Sequence, residues 1–440
     1  MLKKVNEFLT SKGLDVAGIG REELLAAFAQ EMSAGLSGGE SSLAMIPSFI
    51  SIEREIKIDQ PVVVLDAGGT NVRTAVVSVN KQGSVDIADF RKCAMPGTEC
   101  ELNRDQFFDA FADFVAPNLK QSSVIGFCFS YPAEVTPDGD ARLLFWSKQI
   151  DVPSVVNTMI GAGLKESLKK RDCRNVKVII LNDTVATLLA GKSMEITRDY
   201  SAYVGYILGT GTNTAYIESN RNITKRSDLE PSGAMAINVE SGGFNKIGQC
   251  RFDEILDQHT NDPGVYTFEK MISGAYLGSL GSVVLIEAAR AGFFSDTAES
   301  RIMCWAGCNN KEWQPVSNKH LDDFCGNAAD HDNPFMSLEF TQSDKKIIKA
   351  LCTPVYERAA VLAAVNIASA VIKTGAGKNQ LSPVCVNING STYYKTRTAD
   401  FQNRVQLELK TLLDKHHIAY ELIKLEDSPL IGAAVAGLMV

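Results

Sequence analysis

The 440-residue chain carries 44 Lys and Arg against 52 Asp and Glu, which gives a formal net charge of −8, and 45% of its residues are apolar. This acidic balance, with no Lys/Arg cluster, argues against nucleic acid or an anionic membrane as a partner, so we expect a small-molecule ligand. No apolar run reaches the ~18 residues of a spanning helix, and MLKKVNEFLTSKGLD lacks the apolar stretch of a signal peptide. We therefore expect no transmembrane segment and a cytoplasmic location; the oligomeric state, monomer or homodimer, stays open.

The length and apolar content predict two lobes, each with its own core. Residues 1–60 are amphipathic and are predicted to be helical, with a Gly/Ser break at 35–42. Strands alternate with helical stretches over 61–181, and a second such unit follows over 182–427. The apolar tail 428–440 is predicted to be a buried helix that returns to the first lobe.

The first turn with chemical content is DAGGTNVR, residues 66–73, between the β-branched runs PVVVLD and TAVVSV. These runs predict the two arms of a hairpin. Glycines at such a turn let main-chain N–H groups approach a phosphate, and the hydroxyl of Thr70 adds a donor. The turn leads into a strand and the chain contains no G-x-x-x-x-G-K-[ST], so this is not a Walker loop.

A strand VKVIIL runs directly into Asn182-Asp183-Thr184. An aspartate at a strand end is suited to accept the proton of an alcohol during phosphoryl transfer. The alternative is that these residues only cap the following helix, since all three are good capping residues.

A second glycine/threonine turn, GTGTN at residues 209–213, lies between VGYIL and TAYIE. Two similar hairpins far apart in the chain suggest a duplicated unit that offers one phosphate turn from each half to a central cleft. Either hairpin alone could be an ordinary tight turn.

Carboxylates and amides follow these turns in numbers that suit a sugar. A pyranose presents a ring of hydroxyls, and a site that discriminates among them needs several paired acceptors. Candidates are Asn182, Asp183, Asn213, Glu240 and Glu269. The alternative for the two glutamates is an ordinary surface position, because an acidic residue is favoured near a helix start in any case.

Ten cysteines are scattered without a dense framework, which in a reducing compartment predicts buried thiols. Cys304, Cys308, His320, Cys325 and His331 lie close together in sequence, but their spacing fits no common zinc signature. We expect an irregular loop there. No histidine falls in a motif, which argues against a histidine base or a Ser-His hydrolase.

Seven motifs resemble those of the hexokinases and occur in that family's order from about residue 61 to 395. DAGGTNVR and ILGTGTN resemble the two phosphate motifs, and LNDTVATLLAG resembles the segment that holds the catalytic aspartate. FSYPAEVTPDG…FWSK is similar to the sugar-contact segment SFP…WTK, INVESGGF to INMEWGAF, and FEKMISGAYLGSLGSVVL to EKMISGMYLGE. VNINGSTYYK resembles the adenosine motif VGVDGSLYK, and EDSPLIGAAVAG is a weaker echo of the family's C-terminus.

The resemblance implies an α/β, two-lobed, actin/Hsp70/hexokinase-like fold, a duplicated ribonuclease H-like architecture. It implies ATP-dependent phosphorylation of a hexose, glucose first, at the 6-hydroxyl, with sugar-induced lobe closure that keeps water out. Asp183 is the expected base, and Thr70, Arg73 and Thr210 would stabilise the transferring phosphoryl group. The nucleotide would contact Asp66, Gly68, Gly69, Thr70, Asn71, Arg73, Gly209, Thr210, Gly211, Thr212, Gly390 and Ser391, and Asp66 would hold Mg²⁺ directly or through water. Ser130, Ser147 and Lys148 would complete the sugar contacts.

The chain departs from the family pattern at four positions. Tyr131 stands for phenylalanine, Ser147 for threonine, Ser241 for tryptophan, and Ile431 for a more polar residue. Because Tyr131 and Ser241 flank sugar-contact residues, the preferred hexose stays open. The alternatives are a kinase of the same fold for mannose, fructose or an amino sugar, and a hexose-sensing protein that transfers nothing; retained catalytic residues argue against the latter.

Overall fold

The computed structural model describes residues 2–146, 150–307, 313–327, 332–336 and 339–440. Its strands are β1 (Ile46–Ser51), β2 (Val62–Ala67), β3 (Asn71–Val79), β4 (Val85–Ala94), β5 (Val124–Phe129), β6 (Ala133–Val135), β7 (Ala141–Leu143), β8 (Lys177–Leu181), β9 (Ala202–Leu208), β10 (Thr212–Ser219), β11 (Ala234–Asn238), β12 (Val384–Asn389) and β13 (Tyr420–Ile423). Its α-helices are α1 (Leu2–Ser11), α2 (Arg21–Ser37), α3 (Arg104–Val115), α4 (Ile160–Lys169), α5 (Asp183–Lys192), α6 (Arg251–Gln258), α7 (Thr267–Ile272), α8 (Leu277–Arg290), α9 (Asp296–Trp305), α10 (Asn318–Cys325), α11 (Gln342–Lys373), α12 (Ser391–Lys395), α13 (Phe401–Lys415) and α14 (Ser428–Leu438).

Two sheets with the same topology organise the chain. The first has the order β4-β3-β2-β5-β8, with an antiparallel meander followed by two parallel strands. The second repeats this order as β11-β10-β9-β12-β13, and β1 is added beside β11. The duplicated α/β architecture predicted from the two hairpins is therefore confirmed.

The central strands read as continuous apolar runs because helices cover both faces of each sheet. Every residue of β2 is buried, for example, including its terminal polar residue Asp66. The two glycine/threonine turns join β2 to β3 and β9 to β10, so they occupy equivalent positions in the two units.

The N-terminal segment packs on the second unit. Val5, Leu9, Phe28 and Met32 belong to the same apolar core as the buried face of α11. The prediction that 1–60 is helical is wrong for β1, which pairs with β11 in antiparallel register. The helical pattern ends at Gly38, which caps the C-terminus of α2 with a φ of 77°. The short apolar run that follows forms a strand because it pairs with the sheet, and its own periodicity does not indicate this. The lobe boundaries themselves remain predictions.

The apolar tail forms the buried helix α14, which lies between the two units. A Cβ atom at Gly432 would stand 1.7 Å from the Ala186 carbonyl oxygen of α5, and one at Gly126 of β5 would stand 1.8 Å from the Ala433 carbonyl oxygen. Only glycine allows backbones to approach this closely. Helix α14 is thus wedged against the helix that begins at Asp183.

Helix α11 is long and apolar enough to cross a membrane, contrary to the sequence expectation, but 89% of its apolar stretch is buried within the protein. It packs against α2, α8 and α13. Its composition is that of the central helix of a large core.

Candidate active site

The first turn is anchored by an ion pair across the hairpin. Asp66 lies opposite Arg73, whose Nε and Nη2 donate to Asp66 Oδ2 at 2.8 and 2.6 Å, while Nη1 donates to Asp427 Oδ1 at 3.1 Å. Burial raises the pKa of Asp66, and the guanidinium opposes that rise. The structure thus holds Arg73 between two carboxylates, and its contact with a phosphate stays a prediction.

The tip of this turn is closed by main-chain bonds. The N–H of Gly68 donates to the Asn71 carbonyl at 3.0 Å, and the Asn71 side chain donates to Thr70 Oγ1 at 2.7 Å. Thr70 is exposed, and Gly69 is partly exposed. The predicted phosphate donors at the tip of the turn are therefore accessible from solvent.

Asp183 is the first helical residue of α5, at the end of β8. The cap is made by Asn182, whose Oδ1 accepts the N–H of Thr184 at 2.8 Å. The alternative in which Asp183 serves only as a cap therefore does not hold.

The charge of Asp183 acts on both halves of the predicted site. Burial raises the pKa of both Asp66 and Glu240, and the negative charge of Asp183 adds to the rise in each. One carboxylate thus acts on a residue of the phosphate turn and on a residue of the sugar set. A general base for phosphoryl transfer must lie close to both the acceptor and the phosphate.

Glu240 is held in an uncommon backbone conformation by amides. Its φ is 57°, and its Oε1 accepts from Asn238 Nδ2 at 2.7 Å and from Asn213 Nδ2 at 3.2 Å. A non-glycine residue in this region persists where its surroundings fix it, which is common at binding sites. Glu240 is therefore not an ordinary surface charge.

Glu269 connects the sugar set to the second turn. Its Oε2 accepts the N–H of Thr212 at 2.8 Å. A Cβ atom at Gly211 would stand 2.6 Å from that oxygen, which explains a glycine there. Burial raises the pKa of Tyr266 and Tyr276 to about 12 each, with a further contribution from Glu269. Glu269 is thus half-buried and bonded to the second turn, and it is not on an open surface.

The second turn is packed against the predicted adenosine motif. The Gly209 carbonyl accepts from the Gly274 N–H and from Thr392 Oγ1, both at 2.8 Å. Gly390 has a φ of 119°, and a Cβ atom there would stand 2.2 Å from the Leu208 carbonyl oxygen. The start of α12, with Ser391, therefore adjoins the second phosphate turn. Thr210 at its tip is exposed, like Thr70 in the first turn.

The sugar-contact segment lies beside the first turn. The N–H of Ser130 donates to the Ala67 carbonyl at 3.1 Å. Ser147 and Lys148 lie outside the described residues, so their predicted contacts stay predictions. The half-buried Trp146 precedes them, and its indole N–H donates to the Val152 carbonyl at 2.9 Å.

The hydroxyls of both departures, Tyr131 and Ser241, are hydrogen-bonded within the protein. The Tyr131 hydroxyl donates to the Gly68 carbonyl. Ser241 is fully buried and completes a hydrogen-bonded ring with Thr214 and Asn366, at 3.0 Å to each. Thr214 Oγ1 donates to Asn366 Oδ1 at 2.9 Å, so each side chain of the ring donates and accepts. The ring supports Asn213 and Glu240 from behind.

Sequence reasoning missed three residues that shape this site: Asn238, Asn366 and Asp427. Two of them carried a signal. Asn238 stands two positions before Glu240, and Asn366 interrupts the apolar stretch AAVNIASAV, where a polar residue needs a partner.

The described residues include no group of three or more His, Cys, Asp or Glu side chains arranged to hold a metal ion. Of the cysteine and histidine cluster, Cys304 is exposed on α9 and Cys325 is half-buried on α10 near Cys352. Cys308 and His331 lie outside the described residues.

Two family models, each described as Hexokinase, match residues 8–193 and 203–439. Hexokinase-1 of Schizosaccharomyces pombe is 27% identical over 425 residues, which cover 93% of this chain and 85% of that protein. Hexokinase-7 of Oryza sativa subsp. japonica is 29% identical over 429 residues, which cover 93% of this chain and 91% of that protein.

Among solved structures, a hexokinase from Schistosoma mansoni complexed with glucose superposes with a TM-score of 0.80 at 25% identity, over 100% of this chain and 99% of that one. A second hexokinase structure gives a TM-score of 0.78. The two-lobed fold expected from the motifs is therefore confirmed.

Proposed function

We propose that this chain, which belongs to the hexokinase family, uses glucose as its acceptor and phosphorylates the 6-hydroxyl with Asp183 as the base. Its family membership makes it an ATP-dependent kinase of a hexose. The observation that carries the finer proposal is the position of Asp183 at the start of α5, directly after Asn182, which lines one cavity with Asn238 and with Glu240 of the sugar set.

In the proposed mechanism the sugar is held by Asn182, Asn213, Glu240 and Glu269, with the reacting hydroxyl against Asp183. Asp183 orients the hydroxyl in line with the γ-phosphate and accepts its proton late in the transfer. The two turns grip the phosphates through main-chain N–H groups and the hydroxyls of Thr70 and Thr210, which are exposed at their tips. These exposed threonines support a nucleotide site that spans both units.

Mg²⁺ would enter with the nucleotide. Asp66 is a buried carboxylate whose pKa is raised by burial, and its Oδ2 already accepts both bonds from Arg73. A cation near it would offset the cost of that buried charge, and Mg²⁺ retains waters and favours phosphate oxygens. This donor set fits a water-mediated contact, in which the ion neutralises charge on the transferring phosphate.

Glucose is proposed because the likeness to the glucose-bound hexokinase of Schistosoma mansoni covers the whole chain, and because the hydroxyls that Tyr131 and Ser241 add are hydrogen-bonded within the protein. Mannose, fructose and amino sugars remain the competing acceptors. The second candidate is a hexose sensor of the same fold. The retained residues Thr70, Asp183 and Thr210 argue against it.

One assay separates these alternatives. ADP release is measured with MgATP and a panel of glucose, mannose, fructose, glucosamine and 6-deoxyglucose. We expect glucose to have the highest kcat/KM and 6-deoxyglucose, which lacks the acceptor hydroxyl, to inhibit without releasing ADP. If a hexose binds but no sugar on the panel releases ADP, the protein is a hexose sensor instead.

A cytoplasmic location also stays a proposal. Its support is that the cysteines in the described ranges are free thiols, as expected in a reducing compartment.

Glucose is predicted to change the intrinsic fluorescence through Trp146. This indole stacks edge-on against Tyr131 at 4.9 Å and precedes the predicted contacts Ser147 and Lys148, so lobe closure should alter its surroundings. Trp305 packs in the large core against Phe335 and Phe340. The measurement is a glucose titration of the parent and of Trp146→Phe, with Trp305→Phe as the control. A response that survives undiminished in Trp146→Phe would contradict the prediction.

A further inference from the structure

Tyr131 makes a bond that the phenylalanine of the hexokinase motif lacks. Its hydroxyl donates to the Gly68 carbonyl oxygen at 2.6 Å, and the residue is only 2% exposed. Tyr131 follows the predicted sugar contact Ser130, whereas Gly68 belongs to the first phosphate turn. Together with the bond from the Ser130 N–H to the Ala67 carbonyl oxygen, this hydrogen bond connects the sugar-contact segment to the phosphate turn.

This bond controls the direction of a phosphate donor. In a trans peptide the C=O of one residue and the N–H of the next point to opposite sides of the chain. Holding the Gly68 carbonyl on Tyr131 thus directs the Gly69 N–H away from Tyr131. A Gly-Gly peptide has almost no conformational preference of its own, so an external bond has an unusually large effect on its orientation.

The other end of the connection reaches the sugar segment through aromatic contacts. The Tyr131 ring meets Trp146 nearly perpendicularly, with centroids 4.9 Å apart at 87°, and packs on Phe129 at 5.0 Å. A movement of Trp146 on sugar binding would therefore be transmitted to the ring, whose position sets the hydroxyl.

We propose that Tyr131 is a positioning residue that orients the first phosphate turn for ATP and couples this turn to occupation of the sugar site. The inference rests on the proposed role of residues 68–70 in phosphate binding. It explains why a tyrosine beside the sugar contacts need not change the preferred hexose, since its hydroxyl acts on the nucleotide side.

Tyr131→Phe tests the inference, and it restores the residue usual in the family, so the ring contacts and the fold should be kept. A neutral hydrogen bond contributes about 0.5–1.5 kcal/mol, which corresponds to a rise of roughly 2- to 12-fold in the KM for ATP. The KM for hexose should stay within about twofold, since no proposed sugar contact is removed. Binding of a non-hydrolysable ATP analogue, titrated with and without saturating hexose, should also show a smaller enhancement by hexose than in the parent.

The matched control is Tyr356→Phe. Tyr356 is fully buried in the large core, and its hydroxyl donates to Asn318 Oδ1 at 2.8 Å. This variant loses a comparable bond and should lower thermal stability while leaving the KM for ATP unchanged.

The outcomes are distinguishable. If the parent is active and Tyr131→Phe leaves both the KM for ATP and the affinity for the ATP analogue unchanged, this inference is overturned and the proposed function stays intact. Equal losses for hexose and nucleotide would also overturn it, since they indicate a general structural role. A parent that phosphorylates no hexose overturns the proposed function, and the analogue titration then still decides whether Tyr131 orients a nucleotide site.

Discussion

Asp183→Asn is expected to fold, to bind hexose and to lose turnover by a factor of roughly 10² to 10⁴, the range for removal of a general base. The amide keeps the shape of the side chain and one acceptor oxygen but cannot take the proton. Affinity for hexose should fall far less than the rate, because Asn182, Asn213, Glu240 and Glu269 still hold the sugar.

The measurement is kcat at saturating hexose and ATP, with hexose affinity from the fluorescence titration. Folding is checked by thermal melting, because the helix cap is made by Asn182 and should survive the change. Asp228→Asn is the matched control, since this exposed aspartate pairs only locally with Arg226. A turnover within about threefold of the parent would exclude Asp183 as the base.

The parts of the site that the sequence predicted are those built from local patterns. Both turns are indicated by glycines between β-branched strands, and the place of Asp183 is indicated by a strand that ends where a helix begins. Each of these patterns consists of consecutive residues. The same holds for the duplicated sheet topology, because a repeated order of strands follows from a repeated order of motifs.

The parts that the sequence did not predict depend on contacts between distant segments. Arg73 pairs with Asp427, more than three hundred residues away in the chain, which the hairpin motif could not indicate; its predicted contact with a phosphate stays a prediction. Ser241 was considered for its proximity to the sugar, yet its hydroxyl is used by Asn366 of the core helix. Strand β1 was missed for the same reason, since its partner lies in β11 and its own sequence is short and apolar.

The second prediction with a large expected effect concerns the acceptor site. Glu240→Gln should weaken hexose binding by about 1.5–3 kcal/mol, roughly 10- to 150-fold, if the carboxylate is dehydrated on closure. The donors Asn213 and Asn238 both address Oε1, so the glutamine would keep its carbonyl there and turn its NH₂ toward the sugar. A sugar hydroxyl that donates to the carboxylate in the parent would then face the NH₂ group of the glutamine, which is itself a donor.

ATP binding should fall far less than hexose binding in Glu240→Gln, because the Glu240 carboxylate accepts from the side-chain amides of Asn213 and Asn238, which are assigned to the sugar set and not to the phosphates. Glu269→Gln is the comparison variant. It should weaken hexose binding to a similar extent and in addition raise the KM for ATP slightly, because Glu269 accepts the Thr212 N–H of the second turn. An equal loss of ATP affinity in Glu240→Gln would mean that this residue is misassigned.

The pH dependence supplies an independent check on Glu240. Burial raises the pKa of this carboxyl, the charge of Asp183 raises it further, and the amides of Asn238 and Asn213 oppose the rise. Because its pKa is raised, Glu240 takes up a proton at a higher pH than an ordinary glutamate does. As the pH falls, the charged acceptor is therefore lost at this higher pH. Hexose affinity of the parent should therefore decline on acidification through this raised pKa, whereas that of Glu240→Gln should stay flat over the same interval. Parallel declines in the two proteins would assign the titration to another group and remove Glu240 as the charged acceptor.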